Sequence, residues 1–488
     1  MSELQIFNSL TGRKEVFEPL QPGVVRMYVC GDTVYDFPHI GHARSKLAFD
    51  VVRRYLTYLG YKVTFVRNIT DIDDKIIKRA AENNESVQAL TERFIQAMHE
   101  DYDRLNILRP DHEPKATAHM ASMVTLTGEL IEKGYAYVAS DGDVMYSVAK
   151  FEDYGKLSGR HLADLRAGAR VAVDEAKRDP LDFVLWKQAK PGEPAWESPW
   201  GKGRPGWHIE CSAMCLDILG PRFDIHGGGL DLKFPHHENE IAQSCAATDD
   251  KFAKYWMHNG FVNVDNEKMA KSLGNFFRIR DVLDSGHLRD PEVLRFFLIS
   301  SHYRGPINYS LVQIDQADAT LRGLYTALSN VEPAKEYEPT GATSRFRAAM
   351  NDDFNTPDAL AAMLSLATEI NRAKSGGEPQ RANALAAELR QLGAVLGVLQ
   401  SPPAEFLRKG KTVTPKNGAL HLGEQPATAT LEAQGGYSDE AIDRLIEERA
   451  QARRTKNFKR SDEIRAELAG AGVILEDRPD GSAGWRRA

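Results

Sequence analysis

The hydrophobic pattern near the N-terminus predicts a strand, a helix and a second strand. The apolar run from Val24 to Cys30 has no regular alternation with polar residues, which is typical of a parallel strand buried on both faces. Apolar residues recur at helical spacing after His42, and Gly60 suits the end of that helix. A second apolar run begins at Val63. These elements form a βαβ unit, whose ligands bind beyond the carboxyl ends of the parallel strands.

The rest of the chain changes pattern several times. We expect helices over 87–105, 116–133, most of 278–400, 439–455 and 461–468, and hairpins over 135–148 and 473–485. Residues 401–436 are rich in Pro, Thr, Ala and Gly without such a period, and we interpret them as a linker. The changes of pattern therefore predict several domains in series.

Composition supports this interpretation and excludes a membrane protein. A chain of 488 residues is too long for one hydrophobic core. Its hydrophobic share of 42% and charged share of 27% are ordinary for a globular enzyme. No apolar run reaches membrane-spanning length, and the first residues lack the layout of a signal peptide. We therefore expect a cytoplasmic protein with no membrane contact.

The net charge and the cysteine content limit the kinds of partner and cofactor to consider. The net charge of −7 does not exclude RNA as a partner, but its basic contacts must then be local. A basic run at 449–460, which includes Phe458, is either a solvated face or a phosphate-contacting patch with an aromatic for stacking. The four cysteines are too few for a disulfide scaffold, which favours metal binding or free thiols: Cys30, Cys211, Cys215 and Cys245.

Candidate phosphate-binding groups follow the first strand. Cys30 ends that strand, and His39 and His42 lie at the start of the helix, where backbone N–H groups suit a polyphosphate. Lys268 and Lys271 lie far downstream in a glycine-containing loop that could close over phosphates. A lysine-rich loop alone is most often solvated surface, so the interpretation depends on the histidine pair.

Four residues offer the atoms that zinc prefers. His236 and Glu240 are four apart, which places both on one face of a helix. Cys30 and Cys211 could join them at the crevice, because thiolate, imidazole and carboxylate are all zinc ligands. The alternative is structural: Cys211 and Cys215 would be small buried residues at helical spacing, and His236 would cap the next helix. Spacing alone leaves both interpretations open.

These motifs resemble those of a known enzyme family. His39-Ile40-Gly41-His42 and Lys268-Met269-Ala270-Lys271-Ser272 resemble the signature pair of class I aminoacyl-tRNA synthetases. The segments 206–212 and 234–240 are similar to the metal-bearing segments of the cysteinyl-tRNA synthetases within that class. The resemblance covers nearly the whole chain, although Ala270 replaces a serine of the usual loop motif. Both lysines and Ser272 remain, so we expect activity to survive this change.

The resemblance implies an α/β fold. It implies a Rossmann-like class I catalytic core with a connective insertion, followed by a helical-bundle domain and a small C-terminal α+β domain. The implied divisions are core, first half, 1–115; connective insertion 116–205; core, second half, 206–277; stem-contact region 278–330; helical bundle 331–400; linker 401–436; and anticodon-binding domain 437–488.

The resemblance also implies a two-step reaction and its residues. Cysteine would be activated with ATP and then transferred to the 3′ end of tRNA(Cys), by a monomer that uses Mg²⁺ with ATP and one zinc ion per subunit. The implied zinc ligands are Cys30, Cys211, His236 and Glu240. The implied catalytic and ATP-binding residues are His39, His42, Lys268 and Lys271, with Gly228 and Asp231 at the adenosine; Gly31, Thr70 and Trp207 would contact the amino acid.

A purely structural role is the alternative for two of the residues expected to contact the amino-acid substrate. The polar segment Asn68–Lys75 follows the second strand and should face the crevice, but Thr70 or Asp71 would also suit the cap of a helix. Trp207 could be a core aromatic instead of a pocket wall.

Two other functions remain open from the sequence. One is a related ligase that joins cysteine to a small amino-sugar acceptor, which would need no basic C-terminal domain. The other is an inactive RNA-binding relative, which would usually have lost a histidine or lysine of the nucleotide site.

Overall fold

A four-stranded parallel sheet carries the site. The computed structural model describes residues 3–161, 176–269, 275–411, 437–455, 457–477 and 483–487. The sheet has the order β10–β9–β3–β4 with all pairs parallel. Its strands are β3 (Val24–Thr33), β4 (Lys62–Thr70), β9 (Arg222–Gly229) and β10 (Phe252–Asn259). Because β3 pairs with β4 on one side and β9 on the other, the strand order reverses there, where α/β sheets bind ligands.

The other strands form small sheets. They are β1 (Gln5–Asn8), β2 (Arg13–Val16), β5 (Ala136–Val138), β6 (Val144–Tyr146), β7 (Phe183–Gln188), β8 (Gly203–Pro205), β11 (Val262–Val264), β12 (Glu267–Lys268), β13 (Ile307–Tyr309), β14 (Val473–Asp477) and β15 (Ala483–Arg487). Strands β5–β6–β7–β8 make an antiparallel sheet within the predicted insertion, and β14–β15 make the predicted C-terminal hairpin.

Helices account for most of the remaining described chain. They are α1 (Ile40–Tyr58), α2 (Asp74–Glu82), α3 (Val87–Arg104), α4 (Met120–Glu132), α5 (Trp207–Leu219), α6 (Glu238–Thr248), α7 (Ile279–Leu283), α8 (Pro291–Ile299), α9 (Leu311–Leu328), α10 (Gly341–Asn351), α11 (Thr356–Ser375), α12 (Pro379–Leu396), α13 (Pro403–Arg408), α14 (Asp439–Arg454) and α15 (Phe458–Gly470). None of the helices within these ranges is long and apolar enough to cross a bilayer. Residues 412–436 of the predicted linker lie outside the described residues, whereas its first part contains helix α13, which the sequence analysis did not predict.

The βαβ unit is present, but its boundaries differ from the prediction. Strand β3 continues past Cys30 to Thr33, with an irregular register between Val29 and Asp32. Helix α1 begins at Ile40 rather than after His42, because His39 caps it with its own ring nitrogen. The buried face of α1 packs on the sheet in one hydrophobic core that continues into helices α9 to α12. The helical region and the sheet therefore share a core.

The capping alternative for the segment after β4 is wrong. Thr70 is the last residue of β4, and Asp71 accepts bonds from the backbone and hydroxyl of Thr117 at 2.9 and 2.5 Å. Asp73 caps α2 instead, accepting from the Lys75 backbone at 2.7 Å. Neither Thr70 nor Asp71 therefore caps a helix.

A buried ion-paired group, which we call the anchor cluster, joins the sheet to the helical region. It consists of Asp50 and Arg54 on α1 and Arg295 on α8. The Arg295 guanidinium donates to Asp50 at 2.5 Å and to the backbone carbonyls of Leu105 and Leu396 at 2.9 Å. Helix α1 is therefore held by a side chain that also binds the ends of α3 and α12.

Candidate active site

A crevice of about 380 Å³ lies at the carboxyl ends of β3 and β9. We call it the sheet crevice. Residues from both strands and from the start of α1 line it, including Cys30, Gly31, Asp32, His39, His42, Lys46, Trp207, Gly229, Asp231 and Met269. The structure thus brings Cys30 and both predicted histidines to one cavity, at the edge where the strand order reverses.

The two histidines fix each other at the start of α1. Their rings stack with centroids 3.7 Å apart. The Nδ1 atom of His39 accepts from the Gly41 and His42 backbones at 3.1 and 3.4 Å, and Nδ1 of His42 accepts from the His39 backbone at 3.3 Å. A neutral imidazole that accepts at Nδ1 carries its proton on Nε2. Each ring is therefore set to donate from Nε2, as an anion at a helix N-terminus requires.

Glycine is required twice in this region. A β-carbon on Gly31 would lie 1.5 Å from the carbonyl oxygen of Asn68, and one on Gly41 would lie 2.8 Å from the His39 ring. The first glycine lets β3 and β4 close together beneath the crevice. The second leaves room for the His39 ring to fold back over the helix start.

Lys46 and Asp32 are functional candidates that the sequence analysis missed. The Lys46 ammonium lies 3.1 Å from an Asp32 oxygen and donates to the Cys30 carbonyl at 3.0 Å. Tyr102 also donates to Asp32. Although burial opposes ionisation, the Lys46 charge holds the pKa of Asp32 well below its usual value. The signal in the sequence was a lysine one helical turn after His42.

Cys30, Cys211, His236 and Glu240 converge in the interior; we call them the metal-donor cluster. All four are buried, and their donor atoms lie within 4.8 Å of one another. The Cys30 and Cys211 sulfurs are 3.7 Å apart, and the Cys30 sulfur is 3.4 Å from a Glu240 oxygen. The His236 Nε2 atom is 3.1 Å from that same oxygen. His236 lies in a π-helical turn, Lys233–His237, that runs directly into α6 at Glu238, so His236 and Glu240 share one helical face as predicted.

These separations fit a tetrahedral zinc site. With bonds of about 2.3 Å to sulfur and about 2.0 Å to nitrogen or oxygen, two sulfurs lie about 3.8 Å apart, sulfur and oxygen about 3.5 Å, and nitrogen and oxygen about 3.3 Å. The observed distances are 3.7, 3.4 and 3.1 Å. Two sulfurs, one imidazole and one carboxylate are also a donor set that zinc accepts. The cluster is therefore compatible with a bound metal ion.

The electrostatics of the metal-donor cluster favour charged forms of three members. The hydrogen bond from Cys30 lowers the pKa of Cys211 to about 6. Burial opposes a charge on His236, but Glu240 and Cys211 outweigh it and raise the His236 pKa to about 10. Burial likewise opposes ionisation of Glu240, yet neighbouring imidazoles hold its pKa well below the usual range. Burial raises the pKa of Cys30.

Further histidines surround the metal-donor cluster. His208 contacts His236 through their Nδ1 atoms at 2.9 Å, and His226 contacts the second Glu240 oxygen at 2.8 Å. His237 lies 3.3 Å from the Cys30 sulfur and 2.8 Å from His258. The sequence could not place these residues, because pairing of β9 with β10 brings them together. Cys30, His226, His237 and Glu240 form a second converging set that shares two members with the first.

Trp207 and Thr70 lie beside the metal-donor cluster. Trp207 is 39% exposed and lines the sheet crevice, and its ring stacks on His236 at 4.3 Å. Thr70 is buried and donates to Glu210 at 2.8 Å. Burial raises the pKa of Glu210 well above its usual value. Trp207 is therefore a wall of the cavity and not a core aromatic.

For the remaining predicted site residues, the structure gives only part of the expected arrangement. Asp231 lines the sheet crevice beside Gly229, whereas a β-carbon on Gly228 would meet His237 and Leu232 instead of the cavity. The Lys268 backbone lies in β12, which pairs with β11. Lys271 lies outside the described residues. The roles assigned to all these side chains stay predictions.

Comparison with protein families defines the class. Residues 16–319 match the family model described as the tRNA synthetases class I (C) catalytic domain. Residues 345–400 match the DALR domain, and 438–486 match the cysteinyl-tRNA ligase anticodon binding domain. A solved structure of Mycobacterium tuberculosis methionyl-tRNA synthetase in complex with methionyl-adenylate has the same fold, with a TM-score of 0.55, 16% identity and coverage of 79% of this chain and 91% of that one. The parallel sheet is thus that of a class I aminoacyl-tRNA synthetase.

Relatives that match over their full length identify the family within this class. The cysteine–tRNA ligase of Alkalilimnicola ehrlichii is 57% identical over 99% of this chain and 100% of its own length. That of Thioalkalivibrio sulfidiphilus is 58% identical with the same coverage. The chain belongs to the cysteine–tRNA ligase family. It is therefore an aminoacyl-tRNA ligase, and neither the amino-sugar alternative nor the inactive relative has support.

Proposed function

We propose that this protein activates cysteine with ATP, transfers it to tRNA(Cys), and selects cysteine through a zinc ion held by the metal-donor cluster. The observation that carries the proposal is the convergence of Cys30, Cys211, His236 and Glu240 beside the sheet crevice. One chain supplies these donors and both histidines, so a monomer in the cytoplasm is the proposed working form.

A metal gives a selectivity that pocket shape cannot. Cysteine and serine differ by one atom, and a pocket that fits one admits the other, since shape yields only ~1–3 kcal/mol per methylene. When bound, zinc accepts the substrate thiolate as a further ligand and favours its deprotonation. The protein holds the donors rigidly: His208 and His226 fix His236 and Glu240, as outer partners of metal ligands do. A serine hydroxyl is a much poorer ligand.

We prefer the set with Cys211 and His236 over the set with His226 and His237. The first set offers zinc two sulfurs and the second set offers one, and the 2.8 Å between His226 and Glu240 is shorter than the about 3.3 Å expected for two ligands of one tetrahedral ion. Both histidines therefore act as supports of Glu240 and Cys30 in this proposal.

The first reaction joins the cysteine carboxylate to the α-phosphate of ATP. Charge builds on the phosphate oxygens, so fixed donors are what the protein supplies. His39 and His42 donate at the start of α1, and Lys268 and Lys271 close over the outer phosphates, which also carry Mg²⁺. Asp231 and Gly229 would face the adenosine.

The second reaction needs RNA contacts. Helices α14 and α15 carry exposed basic residues; Phe458 beside them is 61% exposed, and the Arg454 guanidinium donates to Gln451. Phosphates would pair with the cations, and a base would stack on the ring. The predicted insertion and helical region would bind the rest of the tRNA.

Cysteine-dependent pyrophosphate exchange tests the proposal. The protein with its metal should exchange pyrophosphate with cysteine and not with serine. Lys271→Ala should reduce exchange by roughly 10²- to 10³-fold while tRNA binding stays near normal, because a transition-state contact is lost. The control is Lys251→Ala, which removes an exposed lysine before β10. Exchange that ignores cysteine, or equal loss of exchange and tRNA binding, would contradict the proposal.

A further inference from the structure

Glu210 is a buried carboxyl group that the proposed mechanism does not use. It is 1% exposed, one of its oxygens accepts from Thr70 at 2.8 Å, and the other has no hydrogen-bond partner. Among the described residues, Glu388 is the other carboxylate with such a buried oxygen, and it lies in the helical region. An unpaired buried carboxylate is costly, so its position requires an explanation.

Neighbouring acids are already paired within the protein. Asp32 faces Lys46 at 3.1 Å, and Asp71 accepts two bonds from Thr117. Glu238 accepts from the backbones of residues 157 and 158 at 3.3 and 2.8 Å. Glu210 therefore differs from these acids in having an acceptor left over.

Helix α5 carries Glu210 together with two residues proposed for the amino-acid site. Trp207, Glu210 and Cys211 occupy positions i, i+3 and i+4, which share one face of a helix. Trp207 lines both the sheet crevice and a second cavity of about 380 Å³, which Glu210 and Asp73 also line. One helical face thus carries a proposed wall of the amino-acid pocket, a proposed zinc ligand and the unpaired carboxylate.

Free cysteine brings an ammonium group, whereas Lys187 and Arg204, which also line the second cavity, already face Asp74. Its sulfur and its ammonium nitrogen are only about 3–4 Å apart. If the sulfur is held at the metal-donor cluster, the ammonium must lie next to it. We propose that Glu210, oriented by Thr70, binds the α-ammonium group of the substrate and so selects an α-amino acid over a simple thiol. This inference rests on the proposed function and adds a recognition residue to it.

The test compares two thiols on two proteins. 3-Mercaptopropionate keeps the thiol and carboxylate of cysteine but lacks the ammonium. The dissociation constants of both compounds are measured by calorimetry on the metal-loaded wild type and on Glu210→Gln, with metal content determined for each sample. The wild type should prefer cysteine, and the variant should lose about 10- to 100-fold of that preference, since a buried charge-assisted contact is removed. Binding of 3-mercaptopropionate should change little.

A matched variant separates recognition from structural damage. Glu388→Gln removes a carboxylate of equal burial that also has one unpaired oxygen, far from the crevice, and should leave the preference unchanged. Equal weakening of both thiols in Glu210→Gln, with metal retained, would overturn the inference and assign Glu210 a structural role. A wild type that binds neither thiol would instead contradict the proposed function.

Discussion

The protein contains two buried polar clusters that differ in the kinds of group they bring together. The metal-donor cluster joins β3, α5 and the region around α6, and the anchor cluster joins α1 to α8. Both are buried and both connect elements that are distant in sequence. In the anchor cluster, the Arg295 guanidinium finds a carboxylate and backbone carbonyls for its nitrogens. The hydrogen-bond donors of Arg295 are therefore paired with acceptors of the protein itself.

The metal-donor cluster is not matched in this way. Two sulfurs and a carboxylate crowd together, and one imidazole is the cationic group among the four. Such a set is stabilised by a cation at its centre, whereas a cluster whose groups pair with one another needs no bound ion. The kinds of group brought together, and not burial alone, therefore distinguish a candidate metal site from a structural ion pair.

The largest expected effect is the loss of function in Cys211→Ser. A hydroxyl is a poor zinc ligand, so metal content should fall to near zero and cysteine-dependent exchange by about a thousandfold or more, beyond the ~10–100-fold typical of outer partners. Metal analysis and pyrophosphate exchange on one preparation check this. Cys245→Ser changes a half-buried cysteine outside the cluster and should keep both properties. If Cys211→Ser exchanged pyrophosphate at the wild-type rate, the metal-donor cluster would have no more part in activity than the anchor cluster.

The next effect concerns stability and not metal. Asp50→Asn leaves the Arg295 guanidinium buried without its counter-charge, which should cost about 3 kcal/mol and lower the Tm by several degrees. Zinc content and the KM for cysteine should stay near the wild-type values. Calorimetric melting together with metal analysis checks both. Loss of metal without loss of stability would show that the anchor cluster is not merely structural.

The pH dependence of this effect follows from the pKa of Asp50. Burial opposes ionisation, but Arg295 and Arg54 hold the Asp50 pKa below its usual value. Its contribution is therefore complete above the unfolded pKa of about 3.9 and is lost as the pH falls through the lower folded value. The difference in Tm between the wild type and Asp50→Asn should be constant from pH 7 to about 5 and shrink below about 4. A constant difference down to pH 3 would be inconsistent with this pairing.

The smallest expected effect is that of Arg54→Ala. Arg54 donates to Asp50 at 2.8 Å and to the Asn106 carbonyl, but it lies nearer to solvent than Arg295. Removal of the Arg54 side chain should lower the free energy of unfolding by about 1 kcal/mol, as for a weakly buried ion pair. Urea unfolding measures the change. A loss as large as that of Asp50→Asn would mean that the balance within the anchor cluster has been assigned to the wrong arginine.

Local patterns in the sequence predicted the βαβ unit and the C-terminal hairpin. Strand β3, helix α1 and strand β4 follow from apolar runs and helical spacing. The start of α1 was misplaced because His39 caps it, and histidine is not among the usual capping residues. The cap of α2 was misplaced by two residues, since several acids in a row could serve.

The candidate site was only partly visible in the sequence. Spacing linked His236 to Glu240 but could not bring Cys30 to Cys211, whose contact depends on packing of α5 against β3. Family resemblance supplied that grouping, and the structure brings the four together. His226 and Glu210 carried no local signal, because strand pairing and helix packing place them.

Zinc-edge X-ray absorption with and without cysteine tests the central claim most directly. The account predicts one zinc ion per chain with two sulfur neighbours at about 2.3 Å, rising to three when cysteine is added and unchanged when serine is added. A zinc ion whose sulfur count stays at two with saturating cysteine, in protein that still activates cysteine, would contradict the claim that a metal–sulfur bond selects the substrate.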